Sequence, residues 1–250
     1  MLAVRTAPKR DIDMISACFV SDLHLLSPRS MAQKWMSSIE AACRDSQLII
    51  LGGDIFDFRW ATLGGHLATL RAGRFWLNDL LKKNSHARVV YILGNHDSHP
   101  DMQELLDDVA AKSHRLEWYA ESYQVADCLF CHGDILDAGG RARLADYRRK
   151  FHDERPASRA AHHAYEVAVA MRLHRTIPTL FHRPRATCTR LSELLQLSPH
   201  GDDSPVQRVF FGHTHVPIYE LPLGSVQFFN PGAALRHLNF APITFEIDSD

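Results

Sequence analysis

Five short polar clusters along this chain contain residue types that hold metal ions, and each cluster follows a short hydrophobic run. Their potential ligands are Asp, Asn and His, without any cysteine. The clusters are Ser21–His24, Gly52–Asp54, Gly94–Asp97, His132–Asp134 and Gly212–His215. One such cluster is usually a polar loop. Five of them, each at the carboxyl end of a predicted strand, indicate a single metal site assembled from the whole fold.

Seven side chains in these clusters are candidate metal ligands: Asp22, His24, Asp54, Asn95, His132, His213 and His215. One ion takes about four to six ligands, so this set suits two divalent metal ions that share a carboxylate. A nitrogen and oxygen shell without thiolate favours Mn, Fe, Zn, Co or Ni over Mg or Ca, and we take Mn as the first candidate. Two ions about 3.5–4 Å apart are suited to in-line attack on a phosphoryl centre.

The third cluster also contains two candidate catalytic residues, His96 and Asp97. His96 is expected to act as a general acid or hydrogen-bond donor at the leaving oxygen, with Asp97 fixing its tautomer. Asp57 lies three positions after Asp54. Two roles are open for it: it contacts the metal ligands, or it caps the N-terminus of a helix. Asp134 is interpreted as structural.

The elements that position these clusters alternate between strand and helix in the first half of the chain and are mostly strands at its end. Predicted strands cover 17–21, 48–52, 89–93, 123–125, 129–131, 209–211, 218–221, 226–229 and 243–247, and predicted helices cover 30–45, 65–84 and 102–112. The apolar side of the second helix is predicted to contain Leu67, Leu70, Phe75, Leu77, Leu80 and Leu81. This order predicts an α/β fold, a four-layer αββα sandwich of two mixed sheets.

A long stretch with helical periodicity interrupts the strands that carry the clusters. We expect one domain over residues 1–250 with a helical cap insertion at about 136–205. The net charge of the chain is −1, yet residues 141–190 contain 12 Lys/Arg against 4 Asp/Glu. This asymmetry predicts an anionic partner near the insertion, with a solvated helical face as the alternative. Arg141, Arg148 and Arg149 are the candidate substrate-binding residues.

Composition places the chain in the ordinary globular range, at 46% hydrophobic and 23% charged residues over 250 positions. The first 14 residues contain no apolar segment typical of a signal peptide, so we expect a cytoplasmic protein. No run of 18 apolar residues occurs, so we expect no transmembrane segment. The five cysteines are interpreted as reduced and buried, including the C-x-x-C pair Cys128 and Cys131.

These motifs resemble those of the calcineurin-type metallophosphoesterases: D-x-H, G-D, G-N-H-D, a later H-G-D and G-H-x-H. The motif set extends from Asp22 to His215. The resemblance implies one metal held by Asp22, His24, Asp54 and His215. It implies a second held by Asp54, Asn95, His132 and His213, with Asp54 bridging.

The layout and basic character of the insertion also resemble the lid of UDP-2,3-diacylglucosamine pyrophosphohydrolases. Those enzymes typically have G-N-R-D where this chain has Gly94-Asn95-His96-Asp97. They also have more acidic residues after the G-D motif. The resemblance implies a lipid-linked substrate and peripheral contact with the inner membrane face.

The leading hypothesis is a hydrolase of a phosphodiester or pyrophosphate bond in a phosphorylated small molecule or lipid-linked substrate. A phosphomonoesterase acting on a small phosphate or a phosphoprotein is the second hypothesis. A nuclease is a third, because the basic segment could follow a nucleic-acid backbone, although aromatic residues are sparse there. A non-catalytic scaffold of the same fold is the fourth, and it is disfavoured because no ligand is missing.

Overall fold

The computed structural model describes residues 14–152, 158, 160–161, 163–164, 167, 182–197 and 206–248. A large part of the basic segment, including 153–157 and 168–181, therefore lies outside the described residues. The described residues form two five-stranded mixed sheets and the helices that cover them. The α/β class and the two mixed sheets predicted from the sequence are confirmed.

The first sheet contains β1 (Met14–Val20), β2 (Leu48–Leu51), β3 (Arg88–Ile92), β4 (Leu116–Tyr119) and β10 (Ile243–Asp248). Its strand order is β10-β1-β2-β3-β4, with β1 to β4 parallel and β10 antiparallel to β1. The crossover helices are α1 (Ala32–Arg44), α2 (His66–Lys83) and α3 (Pro100–Lys112). Strands β2 and β3 are almost entirely buried, as the continuous apolar runs of a covered parallel sheet require.

The second sheet contains β5 (Ser122–Val125), β6 (Cys128–Cys131), β7 (Arg208–Phe211), β8 (Ile218–Leu223) and β9 (Val226–Asn230). Its order is β5-β6-β7-β9-β8, with β6, β7 and β9 parallel. Strands β5 and β6, both predicted from the sequence, form an antiparallel pair. The described helices on this side are α4 (Ile135–Ala138), α5 (Leu144–Arg149) and α6 (Pro184–Leu194), with a 3-10 turn at Arg141–Arg143.

Three hydrophobic clusters define the layers of the fold. The first packs the outer face of the first sheet against α1, α2 and α3. The second packs the second sheet against α4 and α6, and it includes Phe211, Cys188 and Leu191. The third lies between the sheets and contains a run of aromatic rings, with Phe130 and Phe210 stacked at 4.9 Å. Burial of these faces supplies the main driving force for the sandwich.

The structure corrects several local predictions. Strand β4 was not predicted, because Leu116–Tyr119 is a short edge strand in which only the leucine is fully buried. On α2, Leu67 and Phe75 are exposed, at 67% and 76%, so the apolar side of that helix is narrower than predicted. Helix α6 packs on the second sheet, so this part of the predicted cap insertion belongs to an outer layer of the sandwich.

The five cysteines are free and buried, as predicted. Burial raises the pKa of Cys131 to about 12, so the C-x-x-C pair is not a reactive thiolate site. Among the helices that the structure describes, none combines the length and the hydropathy needed to cross a bilayer.

Candidate metal centre

The loops after β1, β2, β3, β6 and β7 converge at one edge of the two sheets and bring the predicted ligands together. The loop after β1 lies alongside the loop after β2. Two backbone hydrogen bonds join them, from Asp22 N to Gly53 O and from His24 N to Asp54 O, both at 3.0 Å. The two sheets meet where His213 N donates to the carboxylate of Asp22 at 3.1 Å. Polar side chains that lie far apart in sequence therefore share one buried space.

The backbone at this edge has an unusual conformation. Five of the seven candidate ligands have positive φ angles, between 45° and 65°: Asp22, His24, Asp54, His213 and His215. A left-handed conformation costs a non-glycine residue about 1–2 kcal/mol. Strain at this many positions of one cluster indicates that side-chain placement outweighs local backbone preference there.

Two glycines permit the loops to approach each other closely. A Cβ added at Gly94 would collide with the carboxylate and the backbone nitrogen of Asp54. A Cβ added at Gly212 would collide with the carboxylate of Asp22 and the hydroxyl of Ser21. The glycines in the G-N-H-D and G-H-T-H clusters are therefore required for the close packing of the carboxylates.

One group of donor atoms forms around His24. His24 Nε2 lies 3.3 Å from His215 Nε2, 4.0 Å from Asp22 Oδ1 and 3.9 Å from Asp54 Oδ2. His215 Nε2 lies 3.3 Å from Asp22 Oδ1. Such separations suit donors arranged around one ion, since metal–ligand bonds of about 2.0–2.2 Å place neighbouring donors roughly 3–4 Å apart.

A second group of donor atoms forms around His132. His132 Nε2 lies 3.4 Å from Asp54 Oδ2 and 3.3 Å from Asn95 Oδ1. Asp22 and Asp54 converge with His132 in this group, while Asp22 also belongs to the first. Because Asp54 approaches both His24 and His132, its carboxylate is positioned between the two groups.

A carbonyl oxygen and a carboxylate lie behind the distal ring nitrogens of two of these histidines, and only the first is at hydrogen-bond distance. His132 Nδ1 lies 3.0 Å from Gly52 O, which fixes the proton on Nδ1 and directs Nε2 to the cluster. His24 Nδ1 lies 3.6 Å from the carboxylate of Asp57. A carboxylate or carbonyl behind each imidazole is the arrangement that orients metal-binding histidines.

His213 is positioned differently from the other predicted ligands. Its Nε2 lies 2.9 Å from Asp137 Oδ2, and its ring lies 5.2 Å from that of His132. His213 belongs to none of the close donor groups found among the described residues. A ligand role for His213 therefore requires Nδ1, with Asp137 behind the ring.

The electrostatics of the site fit positively charged ions. Burial disfavours the charged form of Asp54, yet His132 and His96 hold the pKa of this carboxyl well below its usual range. Burial also opposes protonation of His132, but the carboxylates of Asp54 and Asp22 raise its pKa to about 10. Buried carboxylates at this density require nearby positive charge. Divalent ions would supply that charge, so the residues fit a dinuclear centre.

His96 lies beside this centre, and the structure changes the partner predicted for it. His96 Nδ1 lies 3.1 Å from Asp57 Oδ1, not from Asp97. Burial lowers the pKa of His96, but Asp57 and Asp54 outweigh that effect and raise it to about 9. Asp57 therefore orients the ring and favours its charged form.

Asp97 instead holds the loop together. Its carboxylate accepts hydrogen bonds from Tyr91 Oη at 2.6 Å, Ile55 N at 2.8 Å and Gly94 N at 2.7 Å. These bonds connect the loops after β2 and β3. The prediction that Asp97 fixes the tautomer of His96 is wrong, because its oxygens are used by backbone and phenol donors.

The three candidate substrate-binding arginines are also corrected in part. Arg148 is buried, where it forms an ion pair with Asp134 at 2.6 Å and donates to Leu93 O at 2.8 Å and to Ala120 O. It therefore has a structural role, and Asp134 is structural as predicted. Arg141 and Arg149 are exposed and pair with Glu121 and Asp146, both at 3.0 Å.

A cavity of about 270 Å³ opens beside the centre. Its lining includes His24 and His96, Phe151 from the segment after α5, and Arg29, Arg59 and Trp60. A larger groove of about 560 Å³ lies between α1 and α2 and shares no lining residue with the metal cluster. The smaller cavity is the space available to a substrate bound at the centre.

Sequence reasoning assigned no definite role to Asp57 and none to Asp137, Arg29 or Trp60. Asp57 has a signal in its spacing of three residues from Asp54, whereas Asp137 contacts His213 across 76 residues. Arg29 and Trp60 meet only in the fold, with the guanidinium 3.9 Å from the ring centre. Contacts of this kind leave no local pattern in the sequence.

The calcineurin-like phosphoesterase family model matches residues 15–217. The chain therefore belongs to the calcineurin-like phosphoesterases, as the motif set indicates. It is a metal-dependent phosphoester hydrolase of this family. A solved structure, a dimetal phosphatase from Danio rerio, is similar at a TM-score of 0.46 and 12% identity, covering 94% of this chain and 93% of that one. No curated protein matches this chain significantly.

Proposed function

We propose that this protein is a dinuclear metal-dependent hydrolase that cleaves a phosphodiester or pyrophosphate bond. The observation that carries the proposal is the pair of donor groups around His24 and His132, with Asp54 between them and His96 beside them. The two ions would activate water and neutralise the phosphoryl oxygens. We propose Mn²⁺ as the metal, on the basis of the mixed nitrogen and oxygen donors.

The residues of the site would have distinct roles in metal binding and proton donation. Asp22, His24, Asp54 and His215 would hold one ion, and Asp54, Asn95, His132 and His213 the other. His96 would donate a proton or hydrogen bond to the leaving oxygen, because Asp57 keeps its ring charged and oriented. The backbone N–H of His96 donates to Asp54 Oδ1 at 2.8 Å, which ties the acid to the bridging carboxylate.

The cavity beside the centre supports a substrate with groups on both sides of the scissile bond. A monoester of a phosphoprotein would need an open approach, whereas Phe151, which lies in the predicted cap insertion, lines this cavity. A lipid-linked substrate of the UDP-2,3-diacylglucosamine type rests on the layout of the insertion. Arg148, which was predicted to bind the substrate, instead forms a buried ion pair with Asp134. A nuclease remains the alternative that the basic segment favours.

A substrate panel with the Mn²⁺-loaded protein tests the proposal. The panel contains bis-p-nitrophenyl phosphate, p-nitrophenyl phosphate, an acylated UDP-sugar and single-stranded DNA. We expect turnover of the diester or of the UDP-sugar to exceed that of the monoester. Asp54→Asn should remove this activity, while Asp79→Asn, at a half-buried aspartate on α2 that pairs with Lys83, should leave it unchanged. Equal loss in the two variants, or preference for the monoester, would contradict the proposal.

A further inference from the structure

Part of the cavity wall contains two arginines beside one indole ring. The guanidinium of Arg29 lies 3.9 Å from the centre of the Trp60 ring, and that of Arg59 lies 6.0 Å from it. Both arginines, Trp60 and His96 line the same cavity. Cations stacked on an aromatic ring are held in place without losing their positive charge.

The position of this wall is coupled to the catalytic histidine. The backbone N–H of Trp60 donates to Asp57 Oδ1 at 3.1 Å, and the same oxygen lies 3.1 Å from His96 Nδ1. Asp57 also lines the cavity, but its carboxylate is used by these contacts and by His24. The backbone of Trp60 and the proton donor to the leaving oxygen therefore share one anchoring atom, Asp57 Oδ1.

The Arg29 side of the wall is also anchored to the second half of the chain. Arg29 is buried, and its carbonyl accepts from Arg236 N at 3.1 Å. The next residue, Ser30, forms a bridge with Leu235, which itself lines the cavity. Arg59 is exposed and can approach a ligand from the open side. The wall thus combines Arg29, whose buried side chain is held in place, with Arg59, which is accessible to solvent.

We propose that Arg29, Arg59 and Trp60 form a subsite for a second phosphate adjacent to the scissile one. The substrate class would then be a diphosphate, and the bond cleaved would be P–O–P. This inference rests on the proposed function, of which it selects the pyrophosphate branch. Arginine suits this position because its planar guanidinium binds phosphate oxygens in pairs. The cavity volume of about 270 Å³ matches a head group and not a whole acylated molecule.

Two synthetic substrates that differ by one phosphoryl group provide the test: bis-p-nitrophenyl phosphate and di-p-nitrophenyl diphosphate. Water cleaves the first into p-nitrophenyl phosphate and p-nitrophenol. It cleaves the second at P–O–P into two molecules of p-nitrophenyl phosphate, with no p-nitrophenol. Chromatography of the products separates the two reactions, so cleavage at the aryl ester would be recognised.

We expect the wild-type protein to prefer the diphosphate. Arg59→Ala should lower kcat/KM for it by about 10–100-fold, the effect of losing one charge-assisted hydrogen bond, and Arg59→Glu by more. Either change should alter kcat/KM for the monophosphate diester by less than about 3-fold. Arg74→Ala, which removes a half-buried arginine on α2 that pairs with Asp108 on α3 and does not line this cavity, is the matched control. Arg29→Lys tests the buried cation, with the melting temperature reporting on folding.

A binding measurement separates this inference from the proposed function. Calorimetry with methylenediphosphonate and with orthophosphate should show weaker binding of the diphosphonate by Arg59→Ala and unchanged binding of orthophosphate. If the wild type hydrolyses neither substrate but shows this pattern, the hydrolase proposal fails and the subsite stands. Equal effects of Arg59→Ala on both substrates and both ligands, or no effect on either pair, would overturn the subsite.

Discussion

Asp57→Asn provides a direct test of how His96 is activated. The substitution keeps the size of the side chain and leaves an oxygen that can accept from Trp60 N, at 3.1 Å in the structure. It removes the negative charge 3.1 Å from His96 Nδ1. Since Asp57 is among the carboxylates that raise the pKa of His96, the variant should weaken His96 as a proton donor.

The size of the effect follows from the contact that is lost. A hydrogen bond to a charged group contributes about 1.5–3 kcal/mol. Because about 1.4 kcal/mol corresponds to a tenfold change in rate, kcat should fall by about 10–150-fold. The loss should be largest for a substrate with a poor leaving group, which depends most on proton donation.

The assay compares two methyl aryl phosphodiesters, one with p-nitrophenol and one with phenol as the leaving group. Metal content is measured for each preparation, since Asp57 also lies 3.6 Å from His24 Nδ1. Asp79→Asn serves as the matched surface control. A variant that retains both ions and cleaves the phenol ester at the wild-type rate would refute the assignment of Asp57 and His96. So would an equal loss on the two esters.

Three further predictions concern the scaffold. Arg148→Met should lower the free energy of unfolding, measured by urea titration, by about 3–5 kcal/mol, because it leaves the buried carboxylate of Asp134 unpaired. Normal stability with an altered KM would contradict this prediction. Gly212→Ala should lose most metal binding in calorimetry, because its Cβ would meet the carboxylate of Asp22, and an unchanged affinity would show that the loop can move. Burial disfavours the charged form of Asp127, yet Arg208 lowers the pKa of this carboxyl. The ion pair therefore stabilises the fold at pH values above the ordinary Asp pKa, and this stabilisation is lost as the pH falls through the lowered pKa. Asp127→Asn should therefore reduce stability near neutral pH and flatten its decline in acid, and parallel curves for variant and wild type would contradict that.

The sequence predicts those parts of the fold and site that have local signals. Strands β2 and β3 are continuous apolar runs, and the loops after them carry the Gly-Asp and Gly-Asn motifs, so both the elements and Asp54 and Asn95 could be found. The side chain that orients His96 could not, because two acids near the motif compete and only the loop geometry selects Asp57.

Long-range contacts explain the remaining errors. Arg148 has the same local features as an exposed cap arginine, but Asp134 is 14 residues away and pairs with it only after α5 folds back on the loop. Similarly, Phe75 follows the apolar period of α2, yet its side chain is exposed to solvent. Periodicity describes an element, whereas burial depends on which elements pack against it.

We propose that this chain holds two metal ions bridged by Asp54, and metal titration tests this proposal most directly. The protein is stripped with a chelator, reconstituted with Mn²⁺, and examined for stoichiometry and for spin coupling by electron paramagnetic resonance. The account predicts two ions per chain with a coupled spectrum, and in Asp54→Asn the coupling should disappear. One ion per chain in the fully loaded wild type, or two uncoupled ions unaffected by Asp54→Asn, would contradict it.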